Sequence, residues 1–250
     1  MALKIDLNYS PNFNPIKRKS NQIKFLVFHY TGMRKESDAI NKLTKIQSEV
    51  SSHYFIKNNG EIILMVPDLY IAWHAGKSCW KNLKSLNKYS IGIEISNPGH
   101  EFNYKKYSSK QKNSILNLSK YLVKKYNIKK KNILGHSDIA PSRKKDPGEK
   151  FPWKYLAENN IGFWHSFSND FLKKNRKIKV SFEEKKLFLK NLSKIGYSEN
   201  FLKNSYKTSY LRSIINAFQR RFRQELVNGL IDKECLIISN NLLKKYNKIT

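Results

Sequence analysis

Three side chains that could bind a catalytic metal ion stand at the ends of apolar runs or close behind one. His29 follows an apolar run at residues 23–28, and His136 follows a shorter one at residues 133–135. Asp146 comes ten residues after His136, beyond a Pro-containing stretch. Two imidazoles and one carboxylate form a common ligand set for catalytic zinc, because the fourth position stays open for water. From spacing alone, hydrogen-bonded structural histidines and an ordinary Asp-Pro-Gly turn are the more common interpretation.

The elements that would position these ligands follow from hydrophobic periodicity. Strands are predicted at residues 23–28, 53–56, 61–66, 91–95 and 132–135, and helices at residues 37–50 and 108–126. An Asn-Gly pair between the second and third strands predicts a hairpin, and Ser37 is the predicted N-cap of the first helix. Strands that alternate with helices predict an α/β, more specifically a mixed α+β, domain with a central sheet flanked by helices.

Beyond residue 153 the periodicity becomes helical. Three short amphipathic helices are predicted, at residues 182–195, 209–224 and 233–246. They predict a small three-helix C-terminal domain. The predicted organisation is an N-terminal extension at residues 1–20, a domain carrying the metal ligands at residues 21–165, a linker at residues 166–180 and the helical domain at residues 181–250.

The net charge of +29 favours anionic partners, such as nucleic acid, a lipid surface or an acidic wall polymer. The alternative is a compositional bias, because forty of the 48 basic residues are lysines spread along the whole chain. Specific nucleic-acid readers usually depend on arginine for bidentate contacts. We therefore expect no specific nucleic-acid partner.

Cysteine usage and hydrophobic run lengths bear on the compartment. Cys79 and Cys235 are the only cysteines, too few for a disulfide framework. No apolar stretch of signal-peptide length begins the sequence, and the longest apolar runs are too short to span a bilayer. We expect a cytoplasmic monomer without a transmembrane segment, with association with the cell envelope as the alternative.

Five ordered blocks between about residues 22 and 155 resemble the type 2 N-acetylmuramoyl-L-alanine amidases. They are residues 28–31 (Phe-His-Tyr-Thr), 50–54 (Val-Ser-Ser-His-Tyr), 72–76 (Ala-Trp-His-Ala-Gly), 90–94 (Ser-Ile-Gly-Ile-Glu) and 135–148, which matches the signature loop of the family. The resemblance implies a zinc-dependent hydrolase that cuts the amide bond between N-acetylmuramic acid, or its anhydro form, and L-alanine. Its substrate would be peptidoglycan or a muropeptide.

The resemblance also implies roles for single residues. His29, His136 and Asp146 match the zinc ligands of the family. Glu94 stands at the position of the catalytic glutamate, which would exchange protons with the attacking water and the leaving nitrogen. Lys144 matches a family lysine that would stabilise the oxyanion. The alternative for Glu94 is a structural carboxylate paired with a cation.

Four further residues are predicted to contact substrate. They are Tyr30, Trp73, His74 and Arg143. An indole can stack on the apolar face of a sugar, although Trp73 would equally suit an ordinary core position. His53 is predicted to be a satisfied buried histidine rather than a ligand. We assign no role to the remaining two histidines.

Blocks in the helical region are similar to the small three-helix peptidoglycan-binding domain. They are Gly196-Tyr197, residues 217–219 and residues 228–232. Together with the amidase blocks they resemble the AmiD-like branch of the family. The alternative is a helical appendage that only buttresses the catalytic domain. Two further alternatives remain for the whole chain: a non-catalytic peptidoglycan-recognition protein and a phage-type wall-lysing amidase.

Overall fold

The computed structural model describes residues 3–197 and 208–248, which form a mixed α+β fold. The strands are β1 (Asp6–Leu7), β2 (Phe13–Asn14), β3 (Phe25–Tyr30), β4 (Tyr54–Ile56), β5 (Ile62–Leu64), β6 (Ile71–Ala72), β7 (Cys79–Trp80), β8 (Leu83–Lys84), β9 (Ser90–Ile95) and β10 (Ile133–Gly135). The α-helices are α1 (Glu36–Thr44), α2 (Ser109–Tyr126), α3 (His136–Ile139), α4 (Trp153–Glu158), α5 (Asn169–Asn175), α6 (Phe182–Ile195), α7 (Thr208–Phe222) and α8 (Lys233–Lys248). Residues 198–207, part of the predicted C-terminal domain, lie outside the described residues. None of the described helices is long and apolar enough to cross a bilayer.

Six strands form the central sheet, in the order β1-β5-β4-β9-β3-β10. Among the described strands of this sheet, only β4 and β5 pair antiparallel, and they form the predicted hairpin. Gly60 in their connection takes φ +88°, a conformation that glycine adopts without strain. Because β3 is parallel to both β9 and β10, the C-terminal ends of these three strands meet at one edge of the sheet.

The side chains of β3 alternate between two hydrophobic cores. Leu26 and Phe28 belong to a core shared with α2, whereas Phe25 and Val27 belong to a core shared with α6, α7 and α8. A strand buried on both faces reads as a continuous apolar run, as predicted. The sheet is therefore covered by α2 on one face and by the C-terminal helices on the other.

Helix α2 begins where the sequence predicts because its N-terminus is capped. The Ser108 hydroxyl accepts the Gln111 backbone N–H at 3.1 Å, and the Gln111 side chain accepts the Ser108 backbone N–H at 3.1 Å. This reciprocal capping box satisfies two backbone donors that no helical carbonyl can reach. Asn127 ends the helix in the left-handed conformation.

The predicted helix at residues 37–50 is shorter in the structure, and the prediction of its N-cap is wrong. Helix α1 ends at Thr44, and a separate 3-10 turn follows at Ile46–Ser48. The N-cap residue is Lys35, whereas Ser37 lies inside the first turn. The helical spacing past Thr44 comes from Ile46 and Val50, but Ile46 is exposed in the 3-10 turn and does not continue the buried face of α1.

Residues 3–20, the described part of the predicted N-terminal extension at residues 1–20, pack against the sheet and α1. The Ser10 hydroxyl donates to the Leu43 carbonyl at 2.5 Å, and the Asn12 amide donates to the Lys45 carbonyl at 2.9 Å. In a continuing helix the Leu43 carbonyl would accept the N–H of residue 47, and the Ser10 hydroxyl competes for that carbonyl. A contact from a segment distant in sequence therefore accompanies the early end of α1.

Candidate metal centre and active-site cleft

Three buried ligand atoms meet at the edge where β3 and β10 end. His29 Nδ1 lies 2.9 Å from His136 Nδ1 and 3.1 Å from Asp146 Oδ2. His136 Nδ1 lies 3.0 Å from the same carboxylate oxygen. Two ligands around a tetrahedral zinc ion are about 3.3 Å apart when each bond is about 2.0–2.1 Å. We call these three residues the acceptor cluster, and its spacing fits a small tetrahedral cation.

Each ligand of the acceptor cluster is delivered by a different local structure. His29 is the fifth residue of β3. His136 is the first residue of α3, a single helical turn that directly continues β10 where we predicted a loop. Asp146 returns on the following loop, and its backbone carbonyl accepts the Ser137 N–H at 2.8 Å. Parallel strand pairing therefore places two ligands side by side, and one backbone hydrogen bond brings the third.

A chain of hydrogen bonds behind His29 sets its protonation. The Ser90 hydroxyl donates to the Leu86 carbonyl at 2.6 Å, so it accepts from His74 Nε2 at 3.1 Å. His74 Nδ1 is then an acceptor for His29 Nε2, 3.0 Å away. With its proton on Nε2, a neutral His29 turns a bare lone pair on Nδ1 toward the cluster.

His136 has the same arrangement. Its Nε2 lies 3.1 Å from the Ala75 carbonyl, which can only accept, so Nδ1 carries the lone pair. Burial, reinforced by the neighbouring His136, lowers the pKa of His29 to about 4 and keeps it neutral at neutral pH. In the neutral form of both rings, two nitrogen lone pairs and a carboxylate converge, which is the ligand set that a divalent cation requires.

Glu94 stands beside the acceptor cluster on the neighbouring strand. It is the register partner of His29 in the β3–β9 pair, and it lines the cleft. Its Oε2 atom is buried and has no hydrogen-bond partner among the described residues. Burial raises the pKa of Glu94 to about 8, and the Asp146 carboxylate adds to the rise. A carboxyl group with this pKa can exchange a proton near neutral pH.

A cleft of about 340 Å³ opens over the acceptor cluster. One wall is basic, formed by the consecutive residues Arg143, Lys144 and Lys145. The lining also includes Lys42 and the apolar side chains of Met33, Leu43, Val50 and Trp73. A lining with basic and apolar parts suits a ligand that carries both a sugar or alkyl surface and acidic groups.

The structure brings all nine predicted site residues to this cleft or its floor, but three of the four predicted substrate contacts, His74, Arg143 and Tyr30, already have protein partners. His74 uses both ring nitrogens inside the protein. Arg143 donates to the carbonyls of Ala75 and Lys77 at 3.1 and 2.6 Å. Trp73 is 37% exposed on the cleft wall, so it is not a core residue.

His100, to which the sequence analysis assigned no role, connects Tyr30 to a carboxylate. The Tyr30 hydroxyl lies 2.9 Å from His100 Nδ1, and His100 Nε2 lies 3.0 Å from Glu149 Oε2. Because the Glu149 carboxylate can only accept, Nε2 carries the proton of a neutral His100, and Nδ1 accepts the Tyr30 hydroxyl proton. Burial raises the pKa of Tyr30 to about 12, which keeps that proton on the phenol. No local pattern around His100 indicates this contact, because its partners are 70 and 49 residues away.

His53 is a satisfied buried histidine, as predicted. Its Nδ1 accepts the Gly92 backbone N–H at 3.0 Å. Gly92 also has a steric role, because a Cβ there would lie 2.4 Å from the His74 ring. The glycine in the 90–94 block therefore makes room for the histidine that orients His29.

Comparison with known families supports an enzymatic assignment. A family model described as N-acetylmuramoyl-L-alanine amidase matches residues 19–149. The chain is 35% identical over 240 residues to the N-acetylmuramoyl-L-alanine amidase AmiD of Escherichia coli K12, which covers 91% of this chain and 84% of AmiD. It is 38% identical over 104 residues to the 1,6-anhydro-N-acetylmuramyl-L-alanine amidase AmpD of the same organism, over 42% of this chain and 55% of AmpD.

Two solved structures share the fold over most of the chain. The complex of E. coli AmiD with anhydro-N-acetylmuramic acid-L-Ala-D-gamma-Glu-L-Lys aligns with a TM-score of 0.79 at 35% identity, over 90% of each chain. AMPDH3 from Pseudomonas aeruginosa, in complex with anhydromuramic pentapeptide, aligns with a TM-score of 0.77 at 31% identity, over 98% of this chain and 99% of AMPDH3. Because the family model matches more than half of the chain and the similarity to AmiD spans nearly all of it, this chain belongs to the N-acetylmuramoyl-L-alanine amidase family of enzymes.

Proposed function

We propose that this chain is a zinc-dependent amidase that hydrolyses the amide bond between N-acetylmuramic acid, or its anhydro form, and L-alanine. The observation that carries the proposal is the convergence of three buried acceptors, from His29, His136 and Asp146, beneath an open cleft. The anhydromuramyl peptides in the AmiD and AMPDH3 complexes support a muropeptide as the substrate class.

His29, His136 and Asp146 would hold the zinc ion. Zinc supplies Lewis-acid chemistry there, polarising the scissile carbonyl and acidifying the attacking water. Glu94 removes a proton from that water while the water oxygen bonds to the carbonyl carbon. The same carboxyl group then delivers the proton to the leaving nitrogen as the C–N bond breaks, so the products are a free lactyl carboxylate and a free L-alanine amine.

Lys144 would stabilise the negative charge that develops on the carbonyl oxygen. It is half-buried on the basic wall of the cleft, next to the ligand-bearing loop. An ammonium group in a partly dehydrated site interacts strongly with an oxyanion. Lys145, in contrast, is exposed, which makes it a natural comparison for Lys144.

Tyr30 and Trp73 are the residues that we assign to substrate contact. Since the Tyr30 hydroxyl proton is directed to His100, its oxygen offers an acceptor to a substrate N–H or O–H group. The exposed indole of Trp73 can stack on the apolar face of the sugar. We assign His74 to orienting His29. Arg143 holds the loop at residues 75–77 and contributes positive charge to the basic wall.

The predicted peptidoglycan-binding role of the C-terminal helices stays a prediction, as does the monomeric state. Helices α6, α7 and α8 share a hydrophobic core with β3 and β10. That packing supports the alternative in which these helices buttress the catalytic domain. A purely non-catalytic recognition protein is disfavoured, because Glu94 and Lys144 accompany the complete acceptor cluster in one cleft.

The test is a hydrolysis assay on anhydromuropeptides with metal-stripped and zinc-reconstituted protein, followed by mass analysis of the products. We expect free anhydro-N-acetylmuramic acid and a peptide with a free L-alanine amine, formed only by the reconstituted protein. Undiminished hydrolysis after verified metal loss would contradict the proposal. A parallel assay on intact sacculi distinguishes an enzyme of muropeptide recycling from a wall-lysing amidase.

A further inference from the structure

The C-terminal helical region reaches the turn that carries His136 through one buried ion pair. Arg221, on α7, donates to Asp138 Oδ2 at 2.6 Å. The Tyr197 hydroxyl, just after α6, donates to Asp138 Oδ1 at 2.6 Å. The side chains of Arg221 and Asp138 are only 3% and 1% exposed. We call Asp138, Tyr197 and Arg221 the ion-pair cluster. Within it both carboxylate oxygens of Asp138, which lies two residues after His136, accept hydrogen bonds.

Asp138 in turn holds the backbone immediately before His136. Its Oδ2 accepts the Gly135 backbone N–H at 2.8 Å, which fixes the first turn of α3. The Ser137 N–H within the same turn donates to the Asp146 carbonyl at 2.8 Å. A shift of the Asp138 carboxylate would therefore move the backbone that sets the separation of His136 and Asp146.

Arg221 is itself held in one position from three directions. Besides its bond to Asp138, it donates to the Ile133 carbonyl on β10 at 2.7 Å. Its guanidinium lies over the Trp153 ring, 4.5 Å from the centroid. One side chain thus spans the strand that leads to His136 and the turn that follows it. A buried arginine with this many contacts has little freedom to yield when a ligand is displaced.

We propose that Arg221 and Tyr197 are positioning residues for the metal ligands, acting through Asp138, so that the C-terminal helices set the metal affinity of the catalytic centre. The inference rests on the proposed zinc site. Metal ligands must hold their atoms within a few tenths of an ångström, and loss of an outer hydrogen-bond partner typically weakens metal binding by about 10- to 100-fold. The C-terminal region is then part of the catalytic machinery's support rather than only a wall-binding attachment.

The sharpest test is Tyr197→Phe, which removes one hydroxyl and keeps the ring. Tyr246→Phe is the matched control, because the Tyr246 hydroxyl is also buried but has no hydrogen-bond partner among the described residues. Zinc affinity is measured in the full chain by competition with a chromophoric chelator, and the cobalt-substituted proteins are compared by visible absorption. We expect the zinc Kd of Tyr197→Phe to rise about 10-fold with a shifted cobalt spectrum, whereas Tyr246→Phe matches the parent.

Steady-state kinetics at saturating zinc separate positioning from substrate binding. We expect kcat of Tyr197→Phe to fall while KM changes by less than about twofold. Should Tyr197→Phe not fold, Arg221→Lys provides the second variant, since it keeps the positive charge and removes the forked geometry. We expect a similar rise in its zinc Kd.

Two results would overturn the inference in distinguishable ways. If Tyr197→Phe has the parent's zinc Kd and cobalt spectrum and only a lower melting temperature, the ion-pair cluster stabilises the fold and does not position the ligands. If the parent protein itself binds no zinc, the proposed function fails and the inference that rests on it fails with it, a result seen in the parent alone.

Discussion

Two buried polar clusters lie on opposite sides of the short helix α3, and they are built in opposite ways. In the ion-pair cluster every carboxylate oxygen has a donor from within the chain. In the acceptor cluster three acceptor atoms face one another. The Nε2 atoms of its two histidines point outward, to His74 and to the Ala75 carbonyl. The carboxylate of the first cluster therefore has all its donors within the folded protein, whereas the acceptors of the second are completed by a cation. Whether the carboxylate finds its donors inside the chain separates the supporting cluster from the reactive one.

Metal removal should have the largest effect of these tests, because the acceptor cluster depends on a cation and the ion-pair cluster does not. We expect chelation to lower the rate of muropeptide hydrolysis by roughly 10⁴-fold, because Lewis-acid stabilisation of several kcal/mol is lost. The ion-pair cluster needs no ion, so the far-ultraviolet circular dichroism should stay unchanged. Stoichiometric zinc should restore the parent and leave His136→Ala inactive. Recovery of His136→Ala by zinc at the parent's affinity would contradict the ligand assignment.

Glu94→Gln tests whether the unpartnered carboxyl group beside the acceptor cluster transfers protons. We expect kcat to fall by roughly 10³-fold while substrate still binds, because the amide keeps the shape but cannot exchange a proton. Glu101→Gln is the matched control, since Glu101 also lines the cleft but is exposed. Equal losses in the two variants would show that the effect is one of cleft charge rather than of proton transfer.

Lys144→Met should produce a smaller loss. We expect kcat to fall by roughly 10²-fold, because one stabilising cation near the oxyanion is removed while the metal ligands remain. Lys145→Met removes the same charge from the neighbouring, exposed position. The proposed role of Lys144 requires a lower kcat in Lys144→Met than in Lys145→Met. Identical kinetics would show that Lys144 is only one of the general surface charges of the cleft.

His165, in the C-terminal half and outside both clusters, gives the smallest expected effect. Burial lowers its pKa to about 4, so between about pH 4 and pH 6.5 the unfolded chain binds a proton that the folded chain does not. Stability therefore falls as the pH falls through this window. From pH 7 to pH 5 we expect the parent to lose about 1–2 kcal/mol more than His165→Gln, measured by urea unfolding. Equal losses would indicate that His165 titrates normally in the folded state.

Elements with strong local signals were predicted well. The β4–β5 hairpin follows from two apolar runs around an Asn-Gly turn, and α2 follows from its apolar stripe. The length of α1 was not predictable from its own residues, because the distant Ser10 binds the Leu43 carbonyl in its last turn. Local propensity decides an element only where no distant side chain competes for its hydrogen bonds.

The candidate ligands were accessible from the sequence because motif blocks place them in a known order, and their convergence follows from parallel strand pairing. The hydrogen-bond chain from Ser90 through His74 to His29 was not accessible in this way. Neither was the contact of His100 with Tyr30, since both depend on side chains that meet only after the sheet has formed. Substrate contact by His74 was predicted from its motif, yet the structure occupies both of its ring nitrogens.

The sequence by itself determined which residue types are available for chemistry: two imidazoles, two carboxylates and a lysine in family order, on strands whose apolar runs bury both faces. Only the tertiary structure decided which nitrogen of each histidine faces the cluster and how far the C-terminal helices reach toward His136. The physical reason is that a hydrogen bond and a metal–ligand distance are set by the relative positions of several chain segments. Those positions depend on the packing of the whole sheet between its two layers of helices.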